Sequence, residues 1–238
     1  MGSFSYHPDI TARFPNVAGG VIHAAGLTNG PSSADLVAAF QAEQATALAR
    51  IGDTPLSEVP SLAAWRRAFR GFGVDPTAYR SAAEALLRRL TKQGSIPTIN
   101  TLVDIGNLVA IRYALPVAMF DQRGLTGGIT VRIATGEESF TDLGSGEREA
   151  PEPGEVIFTD DAGLVCARRW CWRQAAESAS GPETTEVLVT VEGHQDNAGT
   201  DVTAAVADLE TLISTYASPT TMLSGRVDAS TPTFTPKA

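Results

Sequence analysis

Apolar side chains recur at helical spacing in five stretches of this chain and in shorter runs or alternations between them. Leu36, Val37, Phe40, Leu48 and Ile51 share a face of a helix expected over residues 34–51, with Ser32 or Ser33 as N-cap and Gly52 just past its end. Ser61 is placed to cap a second helix, 62–69, stopped by Gly71-Phe72-Gly73. Pro76 opens a third, 77–93, with Tyr79, Ala82, Ala83, Leu86, Leu87 and Leu90 as its apolar stripe and Gly94 at its end. In the fourth, Leu102, Ile105, Val109 and Tyr113 recur at spacings of three and four, and Pro116 cannot continue the helix. The fifth, 201–216, turns Val202, Val206, Leu209, Leu212 and Ile213 inward.

Between these helices lie strand signals. Residues 4–30 read as a strand framed by glycine and proline turns, VAMF closes on Asp121, and ITVRIA (129–134) alternates between glycines. Residues 155–158 and 164–167 form a hairpin across Asp160-Asp161-Ala162-Gly163, and TEVLVTVE (185–192) is a last strand. Arg132 and Glu155 are expected to pair across strands. From Ser218 the chain is rich in Pro, Ser and Thr, which reads as a flexible tail over 218–238 after a single domain, 1–217.

Composition adds limits. The chain has 238 residues, enough for one sizeable core, and no run of apolar residues long enough to span a membrane. No secretory signal is visible, so a cytoplasmic protein is expected. A net charge of −9 argues against DNA binding through a general positive field. Its distribution is uneven: Arg66, Arg67, Arg70, Arg80, Arg88, Arg89 and Lys92 against Asp75 and Glu84 give residues 65–92 a local +5, leaving −14 elsewhere. A short GFGVDP connection would bring the arginines of two helices into one anion-binding face, against the plainer reading of a solvated helical surface. Cys166 and Cys171 lie at neither a CxxC nor a zinc-ligand spacing, and the three histidines are scattered, so no metal, disulfide or cofactor is expected. On a continuous strand the two cysteines face opposite ways.

Two stretches hold unusual polar residues. In LVDIGNLVAIRYALPVAMFD (102–121), Asp104 and Asn107 lie one helical turn apart on a shared face. In RRWCWRQ (168–174), continuation as a strand would put Trp170 and Trp172 on one face and Arg169, Cys171 and Arg173 on the other. Each has a structural alternative: the polar pair can satisfy loop backbone groups, and the tryptophans can be core.

These stretches carry a resemblance. Val103, Asp104, Asn107, Pro116, Phe120 and Asp121 match the VDxxN…PxxxFD segment of the B3/B4 domain, the editing module in the beta subunit of bacterial phenylalanyl-tRNA synthetase, and chiefly its free-standing relatives. Together with WRRAFRGFGVDPTAYRSAAEALLRR, ITVRIATGEE, PGEVIFTDDAGLVCARRWCWRQ and TTEVLV, the resemblance runs over residues 65–189. It implies an α+β fold of the B3/B4 type, antiparallel sheets with helices packed on them, and hydrolysis of mischarged aminoacyl-tRNA in trans, a deacylase of translation quality control. A histidine two residues before the FD of the embedded domain is Ala118 here, and a glutamate of its GGExSG segment falls, counting back from Thr185, on Glu177. The resemblance thus points to Asn107 and Glu177 as catalytic, to Asp104, Ala118, Arg169, Trp172, Arg173 and Gln174 around the amino acid, and to Arg66, Arg67, Arg70, Arg88 and Arg89 on the acceptor end of the tRNA. Asn107 supplies a donor and an acceptor, and the arginines supply forked donors for phosphate or carboxylate. Loss of the imidazole at Ala118 opens the alternative of an inactive module that binds a free amino acid, another small molecule or a synthetase partner.

Overall fold

The computed structural model describes residues 2–236. In chain order the elements are β1 (Phe4–Tyr6), α1 (Pro8–Arg13), β2 (Ala18–Ala25), α2 (Ala34–Ile51), α3 (Pro60–Gly71), α4 (Ala82–Gln93), α5 (Thr101–Tyr113), β3 (Val117–Asp121), β4 (Ile129–Ile133), β5 (Phe140–Thr141), β6 (Arg148–Glu149), β7 (Val156–Asp160), β8 (Val165–Arg168), β9 (Arg173–Gln174), β10 (Glu186–Gly193), α6 (Ala198–Tyr216), β11 (Thr221–Asp228) and β12 (Thr233–Phe234). Among the described residues no helix is long and apolar enough to cross a membrane.

A four-stranded antiparallel sheet, β11-β2-β10-β3, forms the middle of three layers. Alternation along its strands builds a core on each face. Ile22, Val187, Val189 and Val191 point to the layer of α2, α4, α5 and α6, while Val21, Leu188 and Val227 point to a second sheet, β12-β1-β4-β7-β8-β9. That second sheet is antiparallel except for β1 and β4, which run parallel. Phe4, Phe158, Ile129 and Val131 fill the space between the sheets from its side. The α+β class and the helix-covered antiparallel sheets expected from the sequence are therefore found, with that one parallel pair added.

Local signals account for most helix ends. Ser33 caps α2 through Leu36 N–H at 3.3 Å, and Asn100 caps α5 through Val103 N–H at 3.0 Å. Ala114 ends α5 in a left-handed conformation (φ 53°), two residues before Pro116. Three starts differ from expectation. That of α6 is at Ala198 instead of 201. Pro60 opens α3 at its first turn, with Ser61 already inside it. Pro76 sits in a turn held by Asp75, whose carboxylate accepts from Thr77 N–H at 2.8 Å, and α4 begins only at Ala82 under the Ser81 cap.

The stretch read as a flexible tail is structured. β11 pairs with β2 over eight consecutive positions, Thr221 opposite Ala25 through Asp228 opposite Ala18, and β12 pairs with β1. Val227 and Phe234 are buried, so long-range pairing supplies the order that composition alone does not suggest. Residues 237–238 of that stretch lie outside the described residues. The expected Arg132–Glu155 pair is also absent: Arg132 bonds Glu138, and Glu155 takes a two-pronged bond from Arg168, at 3.1 and 2.6 Å.

Asp104 belongs to this framework. Fully buried in the first turn of α5, it accepts from Ser32 Oγ at 2.6 Å and Ile99 N–H at 2.9 Å, tying the two loops that lead into α2 and α5 together. Burial pushes its carboxyl up from the usual range, against those two bonds. Asp104→Ala leaves two donors without partners and should cost about 2–4 kcal/mol in urea unfolding at pH 7. An unchanged midpoint would show that the tie is dispensable.

Candidate functional site

A pocket opens in the seam between the two sheets. Its interior is small, ≈ 70 Å³, room for a short apolar group, and the rest of the cleft is open to solvent. Phe158 and Ala167 line it from the six-stranded sheet, Ala118 and Phe120 from β3, and Thr190 and Glu192 from β10. The period of the strand explains the last pair. Leu188, Thr190 and Glu192 lie on the inter-sheet face of β10, so the two polar residues continue an apolar row and end up at the pocket.

Glu192 is the chemically distinctive group. It is 3% exposed, and its Oε1 accepts both from Tyr6 Oη at 2.7 Å and from Trp170 Nε1 at 3.1 Å. Oε2 is left for whatever enters the cavity. Burial raises its pKa to about 7, and the two hydrogen bonds only partly oppose that rise. A carboxyl poised near neutrality in a mostly apolar cleft can exchange a proton with a bound water.

The 168–174 segment forms the mouth, but not as a continuous strand. Arg169 (φ 44°) and Trp170 (φ 60°) take left-handed conformations that separate β8 from β9. Trp170 consequently turns into the core beneath Glu192, while Trp172 stays half-buried at the surface. Tyr79 meets Trp172 edge-on with ring centres 5.0 Å apart, and the guanidinium carbons of Arg169 and Arg173 lie 4.6 and 4.7 Å from the Trp172 ring centre. Arg169 is anchored to Glu155 at 3.1 Å, and burial pulls its pKa down. Arg173 is half-exposed and bonds Asp142. Gln174 Nε2 donates to the carbonyls of Met119 and Ser178, which fixes the amide with its oxygen free beside the pocket it lines. The same break places Cys166 and Cys171 in one inter-sheet core instead of on opposite faces, and both are free thiols pushed up by burial.

Of the residues expected around the amino acid, Ala118, Trp172, Arg173 and Gln174 meet at the pocket. Arg169 supports Trp172 from beneath. Asp104 and Asn107 do not line it; Asp104 is consumed by the loop tie, and Asn107 sits half-buried further along α5. Glu177 also lies apart, its Oε1 accepting from Thr141 Oγ1 and its Oε2 buried without a partner.

The arginines divide. Arg88 and Arg89, with Arg80 and Lys92, line a surface groove that shares Trp172 and Arg173 with the pocket mouth. Arg66 is turned inward to Glu84 at 2.6 Å, and Arg67 faces a separate groove beside His194. Arg70 is exposed on α3 and lines neither groove. The merged face expected from the GFGVDP connection forms in part: Arg66 of α3 borders a groove with Arg80, Arg88 and Lys92, while Arg67 and Arg70 point elsewhere, because successive positions on α3 point about 100° apart.

Glu192, Thr190 and Tyr6 are the site residues that sequence reasoning missed. The available signal was Glu192 itself, an acidic residue in register with the inward-facing Leu188 of a strand that also carries Val187, Val189 and Val191. Among the described residues no group of three His, Cys, Asp or Glu side chains has metal-binding geometry.

The B3/4 domain profile matches residues 64–217. The phenylalanine–tRNA ligase beta subunit of Nocardia farcinica is 33% identical over 117 residues, 49% of this chain and 13% of that protein. That of Shewanella oneidensis is 33% identical over 88 residues, 37% and 11% of the two chains, and that of Staphylococcus haemolyticus is 43% identical over 80 residues, 33% and 10%. The chain therefore spans about a tenth of the length of these curated relatives. An N-terminal fragment of the phenylalanyl-tRNA synthetase beta-subunit from Pyrococcus horikoshii superposes with a TM-score of 0.46 at 10% identity, covering 89% of this chain and 47% of that one.

Proposed function

The chain belongs to the B3/4 domain family, and from that premise we propose that it is a trans-editing hydrolase, releasing the amino acid from mischarged aminoacyl-tRNA. The observation that carries this reading is the poised Glu192 carboxyl in a cleft whose mouth continues into a basic groove. The side chain of the amino acid enters between Ala118, Phe120 and Phe158. Thr190 and Gln174 orient its polar end, and the terminal ribose and phosphates follow Trp172 and Arg173 toward Arg88, Arg89 and Lys92.

In this reading Glu192 replaces the imidazole that Ala118 removes. Oε2 takes a proton from a water as the water oxygen bonds to the ester carbonyl carbon. The bond from that carbon to the ribose oxygen then breaks, and the proton passes to the departing oxygen, giving a free amino acid and a free tRNA hydroxyl. Such a positioned proton carrier contributes roughly 10²–10⁴ in rate, and holding ester and water in line contributes further.

The test is deacylation of a full set of correctly charged and mischarged tRNAs by the purified protein, at moderate salt with a chelator present. Release confined to one or a few amino acids is expected. The Arg88→Ala/Arg89→Ala double variant should raise KM about tenfold with kcat little changed, an effect that shrinks as salt rises. Equal KM values would remove the groove from the substrate path. Ala118 supports a second reading, a binding module: no release from any tRNA, together with thermal stabilisation by free amino acids, would establish that alternative.

A further inference from the structure

The floor of the inter-sheet pocket is a ladder of facing pairs on β3 and β10. In their antiparallel register Phe120 stands opposite Leu188 and Ala118 opposite Thr190. One step further on the same face comes Glu192, whose N–H donates to the Pro116 carbonyl at 3.4 Å. Phe120 and Leu188 are fully buried and close one end of the ladder, and Glu192 holds the other. Between them the middle pair is a methyl group facing a threonine, the smallest of the three, and the free space lies over it. Neighbouring steps on one face are about 7 Å apart. A substrate whose ester lies at Glu192 therefore has a single step for its side chain before the Phe120 ring closes the seam.

The facing wall is equally firm. Phe158 is buried and packs its ring 5.4 Å from that of Phe120 and 6.0 Å from that of Phe4 between centres. Trp170 is wedged against Trp65 at 5.4 Å and Phe14 at 5.0 Å, and its indole N–H is tied to Glu192. Rings held in this way cannot swing aside for a larger guest without opening a gap behind them. The interior they enclose is ≈ 70 Å³. An apolar cavity that takes up a benzene ring has about 150 Å³, roughly twice as much.

We infer that this pocket fixes the substrate class: it admits short aliphatic side chains, from alanine to valine in size, and turns away leucine and the aromatic amino acids. The inference deepens the hydrolase reading and rests on it. Ala118 is the specificity-determining residue, because its methyl group leaves the space that the side chain fills, directly across the strand pair from Thr190. Phe120 and Phe158 set the far limit. Each methylene group beyond that limit costs about 10–200-fold in kcat/KM.

The experiment charges one tRNA sequence in turn with alanine, valine, leucine, phenylalanine and tyrosine, so that only the side chain varies, and compares kcat/KM for release by the full chain. Alanyl and valyl esters should be cleaved at least tenfold faster than the leucyl ester and at least a hundredfold faster than the two aromatic ones. Ala118→Val should slow valyl release at least tenfold relative to alanyl release, and Phe158→Leu should raise leucyl release at least tenfold on the same scale. The alanyl ester is the reference within each variant, so a general loss of stability cancels; should Phe158→Leu not fold, Ala118→Val decides. In parallel, valyl- and phenylalanyl-adenosine joined by an amide in place of the ester are titrated by calorimetry. If no ester is cleaved while the valyl amide binds at least tenfold tighter than the phenylalanyl amide, the hydrolase reading falls and the size limit stands. Aromatic esters released as fast as the valyl ester, or aromatic and valyl amides bound equally, would overturn the size limit and leave the hydrolase reading intact. No cleavage and no binding of either amide would overturn both.

Discussion

Glu192→Gln should abolish most deacylation while leaving the protein more stable at alkaline pH. The amide keeps an oxygen for the Tyr6 and Trp170 donors, so the pocket retains its shape, but it cannot accept the proton of an attacking water. A fall of about 10²–10⁴ in kcat is expected. The stability effect follows from the raised pKa. Between the carboxylate value of an unfolded chain, near 4.5, and the folded value of about 7, the folded state binds the extra proton, so stability declines as pH rises through that window and is flat above it. The full decline is on the order of 3 kcal/mol. Glutamine has no such term: the variant should match the parent near pH 5 and exceed it at pH 8 in urea unfolding. Parent activity should rise with pH through about 7 as the carboxylate forms. A variant that keeps its activity would sink the role of Glu192 as proton carrier, and one that gains no stability at pH 8 would show the carboxylate to be better solvated than its burial implies.

Deleting residues 218–238 should prevent folding altogether. The deletion removes β11 from all eight of its positions beside β2, removes β12 from β1, and uncovers the inter-sheet core where Val227 and Phe234 close it. Burial of those two side chains alone is worth about 1.5–3 kcal/mol each, before the lost strand pairing, against a total stability of roughly 5–15 kcal/mol for a domain. The shortened chain is expected to collect as aggregate, or as a species without a cooperative thermal transition in circular dichroism. Full-chain variants Val227→Ala and Phe234→Ala keep the strands and should only lower the melting temperature. A cooperative, native-like melt from the shortened chain would show that the three-layer arrangement closes without its last two strands.

What could be read from the sequence was local. α2, and the passage from α5 into β3, carry their own punctuation in Ser33, Gly52 and Pro116, and all of it acts within a few residues. The start of α4 was misread because proline favours both a helix opening and the turn that Asp75 holds. β1, β9 and β12 are two or three residues long, too short to show a period. The order of β11 was illegible because its partner lies some two hundred residues earlier in the chain. At the site, Trp172, Arg173 and Gln174 stood out as a combination unlike a core, and they do form the mouth. Glu192 did not stand out, since an acidic side chain near a strand end ordinarily faces water, and only the second sheet laid over β10 makes it buried.

β1 and β12 also fix where the described chain enters and leaves the fold. Phe4 stands opposite Phe234 on adjacent strands of one sheet, so the two ends emerge side by side on the same edge. A unit with neighbouring ends can be spliced into a surface loop of a larger host, or have those ends joined and a new opening cut elsewhere, without pulling its layers apart. Linking Phe4 and Phe234 through a short connection and reopening the chain in a surface loop is accordingly expected to leave the seam between the sheets unchanged.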